Sequence, residues 1–430
     1  MKQPSLVSLA VACAMALPAF AAAPLALEEA LAIAQSRSPQ LAAQRASAEA
    51  AEALVGPASE NPDPKLFLGI ENLPAAGADR FSTTLDAMTM RRVGVMQDFV
   101  REAKRRARGE KAQAESERER AMVAIQAADV RREVALAWVE RHYAERSRLV
   151  LAELAREADL QAETARAGLA AGRLAAAEPL AARALRATLA DRIQDTERQA
   201  RRATALLERW IGEAARRPSG NTPVIGSLPR KVRMIEADPD MHPDHAIYAP
   251  LEAAAEADLR LARAATQPDW SVELSYGRRG GEYAPSPHSP LELEKTNTHM
   301  VSLMFKVDLP LFGERRQDPV IVARARQLEQ VRAQTEEARR RHVAEVRATL
   351  VDWETSLDRL KRHRDELVPL AQERVRAALA AYEGGRMELA AVLEARRGVI
   401  EARLAALAVE AEAARAWAQL AYLVPEGESR

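Results

Sequence analysis

Four stretches of the chain alternate strictly between apolar and polar residues. From Lys65 to Leu73, Leu66, Leu68 and Ile70 oppose Lys65, Gly69 and Glu71; from Arg92 to Phe99, Val93, Val95 and Phe99 oppose Arg92, Gly94 and Asp98. Trp270, Val272, Leu274 and Tyr276 oppose Ser271, Glu273, Ser275 and Gly277, and Val301, Leu303, Phe305, Val307 and Leu309 oppose Ser302, Lys306 and Asp308. A period of two with one apolar face predicts four β-strands. Elsewhere the apolar pattern is alanine with spaced leucine. Arg101 to Ala167 has no proline and one glycine, which predicts a single helix of ~100 Å at ~1.5 Å per residue. Gly168 and Gly172 should break it, and a return helix runs over about 175 to 211. An opening helix is predicted over 27 to 55, ended by Gly56 and Pro57. Pro319 to Tyr382 is a second long helix, flanked by shorter ones at about 242 to 266 and 387 to 423. In each half, one long helix lies beside two short ones whose lengths sum to it.

The halves correspond. Ser38-Pro39 matches His242-Pro243, an offset of 204, and Gly172-Arg173-Leu174 matches Gly385-Arg386-Met387, an offset of 213. Asn61-Pro-Asp-Pro64 matches Gln267-Pro-Asp-Trp270, and Trp210 and Trp417 close the two halves. The predicted division is therefore 1–23 signal peptide, 24–211 first repeat, 212–241 connector carrying Pro218, Pro223, Pro229 and Pro239, 242–424 second repeat, and 425–430 tail.

The five phenylalanines outside the signal (Phe67, Phe81, Phe99, Phe305 and Phe312) lie in or near the strands, and the joining loops at about 74–88 and 278–297 are long. Strands of ~9–11 residues with one apolar side, aromatic ends and long outer loops fit a transmembrane β-barrel. Four strands cannot close one, and lipid tolerates no open sheet edge. Three copies would supply ~12 strands, an even number within the known range.

Composition narrows the choices. Lys plus Arg and Asp plus Glu both total 62, so no basic excess points to nucleic acid. Lys2, the apolar run Leu6–Leu17 and Ala19-Phe20-Ala21 form an export signal too short to span a membrane as a helix. Cys13, the single cysteine, is removed with the signal or, on a loose lipobox reading, lipidated. No phosphate loop, nucleophilic triad or paired-carboxylate signature stands out, so no enzyme and no cofactor is expected.

Four passages in order resemble the TolC-like outer-membrane efflux factors. They are Leu27-Glu-Glu-Ala-Leu31 with Ser38-Pro39; Gln97-Asp98-Phe99 followed by Lys104-Arg105-Arg106; Leu309-Pro-Leu-Phe-Gly313; and Tyr382-Glu-Gly-Gly-Arg-Met-Glu-Leu389. Gln317-Asp318 and the basic run after Phe99 are similar to the heavy-metal, CzcC/CusC-like branch. The resemblance implies a mainly α fold with a small β part. Long antiparallel helical hairpins would form a periplasmic α-barrel, and four strands per chain would join a trimeric transmembrane β-barrel. It also implies location in the outer membrane, a periplasmic adaptor and an inner-membrane pump of the resistance-nodulation-division class as partners, and heavy-metal export. Drug efflux, type I secretion and a soluble periplasmic coiled-coil scaffold or adaptor are the alternatives.

The hairpin ends are the predicted functional sites: Gly168, Gly172 and Arg173 at the first, Tyr382, Glu383, Gly384, Gly385, Arg386 and Glu388 at the second. Their charges would pair across subunits to close the duct, or dock the adaptor. The first end lacks the family's usual tyrosine and acid. The run Asp238-Pro-Asp240-Met-His242-Pro-Asp244-His245 has zinc- or cobalt-type ligands but reads rather as a solvated connector whose His-Pro opens a helix. No metal site is assigned to it, because a duct should not hold its cargo tightly. Met88, Met90, Met96, Met300 and Met304 are either Cu(I) ligands or apolar filler. Arg101–Lys111 and Arg315-Arg316 either meet anionic lipid headgroups or form a solvated helix face.

Overall fold

The computed structural model describes residues 23–424 apart from 87, 173–175, 239–240 and 283–294. Residues 1–22 with Cys13, Arg173, Asp240, most of the 278–297 loop and the 425–430 tail therefore lie outside the described residues. The helices are α1 (Leu27–Arg37), α2 (Pro39–Ala58), α3 (Glu102–Ala170), α4 (Ala177–Ile211), α5 (Arg230–Ala237), α6 (Tyr248–Ala264), α7 (Gly313–Arg362), α8 (Val368–Glu383) and α9 (Leu389–Ala421). The strands are β1 (Lys65–Glu71), β2 (Met90–Phe99), β3 (Trp270–Glu282) and β4 (Lys295–Val307). They form one antiparallel sheet in the order β1-β2-β3-β4.

Several boundaries differ from the sequence expectation, each for a local reason. The opening helix is two helices. Pro39 disfavours helical backbone at Ser38, which is extended at φ −66 and ψ 111, and the Ser38 hydroxyl instead caps α2 by accepting from the Leu41 N–H at 3.2 Å. Gly56 and Pro57 do not end α2, which runs on to Ala58; a proline in the last turn disturbs few ladder bonds. Gly168 does not break α3, which continues to Ala170, and the reversal falls on Gly172 at φ +69. The second long helix starts at Gly313, ahead of Pro319, with the Arg315 and Arg316 N–H groups bonded to the Phe312 carbonyl. A π turn at His363–Leu367 then precedes Pro369 and absorbs the ladder bond that this proline cannot make. The connector is more ordered than its prolines suggest. It holds a 3₁₀ turn at Gly212–Arg216, a parallel bridge from Leu25 to Ser219, and α5, whose Val232 and Ile235 are buried one turn apart.

The chain divides into two compact units. Unit 1 comprises Met1–Arg37, Glu133–Ser227 and Trp353–Ala418; unit 2 comprises Ser38–Arg132, Leu228–Asp352 and Gln419–Arg430. In unit 1, Leu151, Leu154 and Ala158 of α3 pack with Leu189 of α4 and Ile400 of α9. Three tryptophans fasten irregular chain to these helices. The indole N–H of Trp138 donates to the Leu25 carbonyl, that of Trp353 to Ile225 and that of Trp417 to Ser227, each at 3.0 Å. The Arg141 guanidinium donates to the carbonyls of Ala215 and Arg217, and the Glu145 carboxylate accepts from the Ser219 N–H at 3.1 Å and hydroxyl at 2.6 Å. These bonds satisfy backbone groups of a segment without its own ladder. Burial pushes the Glu145 carboxyl up, but the Ser219 hydrogen bonds and the Arg141 charge outweigh it and hold it below the usual range. In unit 2, Glu119 of α3 accepts from Gln44 of α2 at 2.7 Å, and Lys104 pairs with Asp269, just before β3, at 2.8 Å.

Replacing Trp353 by Phe keeps the ring but strands the Ile225 carbonyl. We expect it to destabilise unit 1 by about 1–3 kcal/mol, read as a lower thermal unfolding midpoint with unchanged helical circular dichroism.

Candidate functional site: an inverted sheet and two hairpin ends

The pairing register aligns the apolar residues of all four strands on one face. Leu68, Val93, Tyr276 and Val301 form one cross-strand row, and Leu66, Val95, Leu274 and Leu303 the next. The row nearest the helices is Phe99, Trp270 and Val307, with the Phe99 and Trp270 rings stacked at 4.2 Å. This face is bare: Leu68 is 77% and Val301 74% exposed. The opposite face is polar and is covered along β3, with Ser275 at 3% and Glu273 at 7% exposure. There Arg92 bonds Glu71, Glu273 (2.9 Å) and Ser275 (2.6 Å), while Lys306 pairs with Glu273 at 2.8 Å. A water-soluble sheet has the reverse arrangement. An apolar face turned outward over a polar inner face is the pattern of a strand in lipid.

Two residues on the polar face are set by close packing. A Cβ on Gly94 would lie 2.5 Å from the Phe67 ring and 2.6 Å from the Ser275 Cβ, so only glycine fits. Phe67 therefore packs inside the polar face, with the Arg92 guanidinium 5.7 Å from its ring centre, and is not a member of an outer aromatic girdle. Met90, Met96, Met300 and Met304 share this polar parity, in register with Arg279, Glu273, Gly277 and Glu273. The basic run after β2 is partly engaged within the protein. Lys104 is buried against Asp269, Arg106 pairs with Glu102 and Lys111 with Asp258, whereas Arg315 and Arg316 are exposed.

Both predicted hairpin ends are turns. At the first, the Gly172 N–H bonds the Leu169 carbonyl at 3.0 Å; Arg173 lies outside the described residues. The second is a Schellman reversal. The Arg386 N–H reaches back to the Ala381 carbonyl (2.8 Å) and the Gly385 N–H to that of Tyr382 (2.9 Å), with Gly385 at φ +65. Behind it Ala378 of α8 packs on Val392 and Ala395 of α9. Residues 382–388 are all exposed. Arg386 lies against Gly384, and no ion pair joins Glu383, Arg386 and Glu388 among the described residues. The turn is thus locally self-sufficient and leaves its charges available.

The acidic and histidine run before α6 forms a 3₁₀ turn at Pro243–Ile247. It meets a residue that the local sequence gave no sign of, His342 on α7. Only tertiary contact brings that imidazole to the other two.

Residues 249–424 match the family described as outer membrane efflux protein. No curated protein sequence matches the chain. Three solved structures share its fold over nearly its whole length. A membrane protein from Pseudomonas aeruginosa is 20% identical, with a TM-score of 0.75, covering 94% of this chain and 92% of that one. CusC, whose structures concern folding and transmembrane channel formation, is 16% identical, with a TM-score of 0.71 over 93% of this chain and 92% of its own. The open state of the MtrE outer membrane channel of Neisseria gonorrhoeae is 18% identical, with a TM-score of 0.71 over 92% and 88%.

A charge on the bare face should be far worse than one on the covered face. Leu303→Arg should cost about 2–4 kcal/mol in lipid and reduce the membrane-inserted fraction, while Ser302→Arg, one residue away on the polar face, should insert at near wild-type level. Quantitative membrane fractionation checks both.

Proposed function

We propose that this chain is an outer-membrane efflux protein, a passive trimeric duct that serves as the exit component of a tripartite system exporting heavy-metal cations. The match of residues 249–424 to the outer membrane efflux protein family supports a channel rather than an enzyme. The observation that carries the reading is the inverted sheet with two open edges. β1 and β4 pair only with β2 and β3 among the described residues. In lipid those edges need partners, and β4 runs antiparallel to β1, so the edges of successive copies join in the same sense as every other pair. Three copies give ~12 strands and a closed wall. The two repeats, 24–211 and 242–424, joined by 212–241, would each supply one strand pair and one long helical hairpin to that wall.

The second hairpin end is the proposed gate and docking point for a periplasmic adaptor, with an inner-membrane resistance-nodulation-division pump as the source of energy. Glu383, Arg386 and Glu388 are exposed charges on the rigid Schellman turn of Tyr382, Gly384 and Gly385. Three copies brought to one axis would repel unless Arg386 of one met an acid of the next. Exposed pairs of this kind are weak, which suits a latch that a partner releases. The Gly172 turn, just after the last helical turn that holds Gly168, would form the matching end of the first hairpin. Arg386→Glu should then raise single-channel conductance or vancomycin leakage without unfolding the assembly. A stable variant with wild-type conductance and normal adaptor cross-linking would reduce the end to a structural turn.

Metal cargo is supported by the resemblance at Gln317-Asp318 and in the basic run after Phe99, and by the methionines on the polar face, whose thioethers suit soft cations. Gene deletion should raise sensitivity to cobalt, zinc, cadmium, copper or silver. Unchanged metal tolerance with raised antibiotic sensitivity would assign the duct to drug efflux instead.

A further inference from the structure

We propose that His242, His245 and His342 form a binding site for one divalent transition-metal ion of the zinc class, with the Asp244 carboxylate as fourth ligand. One ring nitrogen from each histidine lies within 4.8 Å of the others, and His242 and His245 are buried. Tetrahedral zinc with bonds of 2.0–2.1 Å needs ligand atoms about 3.4 Å apart, so the rings would turn their nitrogens inward on binding. His342 Nε2 already stands 3.6 Å from an Asp244 oxygen, close to that spacing. The rings of His242 and His342 are stacked at 4.7 Å, and those of His245 and His342 at 5.8 Å, so all three imidazoles share one pocket. Three imidazoles and a carboxylate are ligands of a zinc or cobalt centre, not of calcium or magnesium.

The surroundings fit. The Tyr248 hydroxyl lies 3.4 Å from His342 Nδ1 and can orient that ring, as outer partners of metal-bound imidazoles do. Ligation has one local consequence. His242 Nδ1 now accepts the Asp244 N–H at 3.2 Å. Ligation by Nδ1 would use that same lone pair, and ligation by Nε2 would leave the proton on Nδ1, so the cap is given up either way. In return the ion would pin the turn before α6 to α7. The site does not rest on what the duct carries.

The test uses the full mature chain in detergent, free of any affinity tag and stripped of metal. Titration with Co²⁺ should give one equivalent per chain with the visible absorption of a tetrahedral centre, bleached by Zn²⁺. His342→Gln and Asp244→Asn should each weaken binding by ~10-fold or more. His342→Cys should bind again and add a thiolate-to-cobalt charge-transfer band, which decides the matter even if the glutamine variant folds poorly. Absence of a tetrahedral Co²⁺ spectrum in the wild type would overturn the proposal. So would wild-type affinity in His342→Gln, or a cobalt spectrum in His342→Cys without the sulfur band.

Discussion

The rest of the structure depends on an unsatisfied constraint: a four-stranded sheet whose apolar face and both edges are left open by the described residues. Leu66, Leu68, Val301 and Phe305 are exposed, while Glu273 and Ser275 on the reverse are covered. In water this arrangement has the hydrophobic effect working against it. In lipid the bare face costs nothing, but the unpaired edge groups of β1 and β4 become the dominant penalty. Further copies of the chain in a bilayer, as proposed above, would solve both problems. The proposed duct follows from that requirement.

The covered face explains why the sheet holds its register before any partner arrives. Arg92 contacts Glu71 on β1 and Glu273 and Ser275 on β3, and Lys306 ties β4 to the same Glu273. A slip of one residue would exchange the faces and put these charges into lipid. Gly94 reinforces this, because Phe67 occupies the space that any side chain there would need. Polar bonding sets the inner face, and the apolar rows from Leu68–Val301 to Phe99–Val307 set the outer one.

Much of this was legible in the sequence because alternation is a local signal. The four strands, the long helices and the glycine turn at 384–385 all follow from spacing within a few residues. What failed was decided by single backbone effects or by distant contact. Pro39 splits a helix that the alanine-leucine pattern makes continuous, Gly168 is carried inside α3 by the helix around it, and the prolines of 212–241 did not announce a segment clamped by Trp353, Trp417 and Arg141. Phe67 falls on the polar parity, which counting aromatics near strands could not separate from a girdle position. The local run ending in His245 held two of three imidazoles, and the third, His342, lies on α7, where only the folded chain reveals it.

The most direct test of the central claim is disulfide cross-linking between the two open edges. Cysteine pairs placed at Gly69 or Ile70 of β1 and at Met300 or Val301 of β4 lie on opposite edges of one sheet. They are separated by three strand spacings of about 4.8 Å, too far for a bond within one chain. In the outer membrane, oxidation should yield a covalent three-chain species that reduction returns to single chains. If no pair across the tested registers cross-links chains in the membrane, or if the mature chain is a stable water-soluble monomer, the account of the sheet as one third of a barrel is wrong.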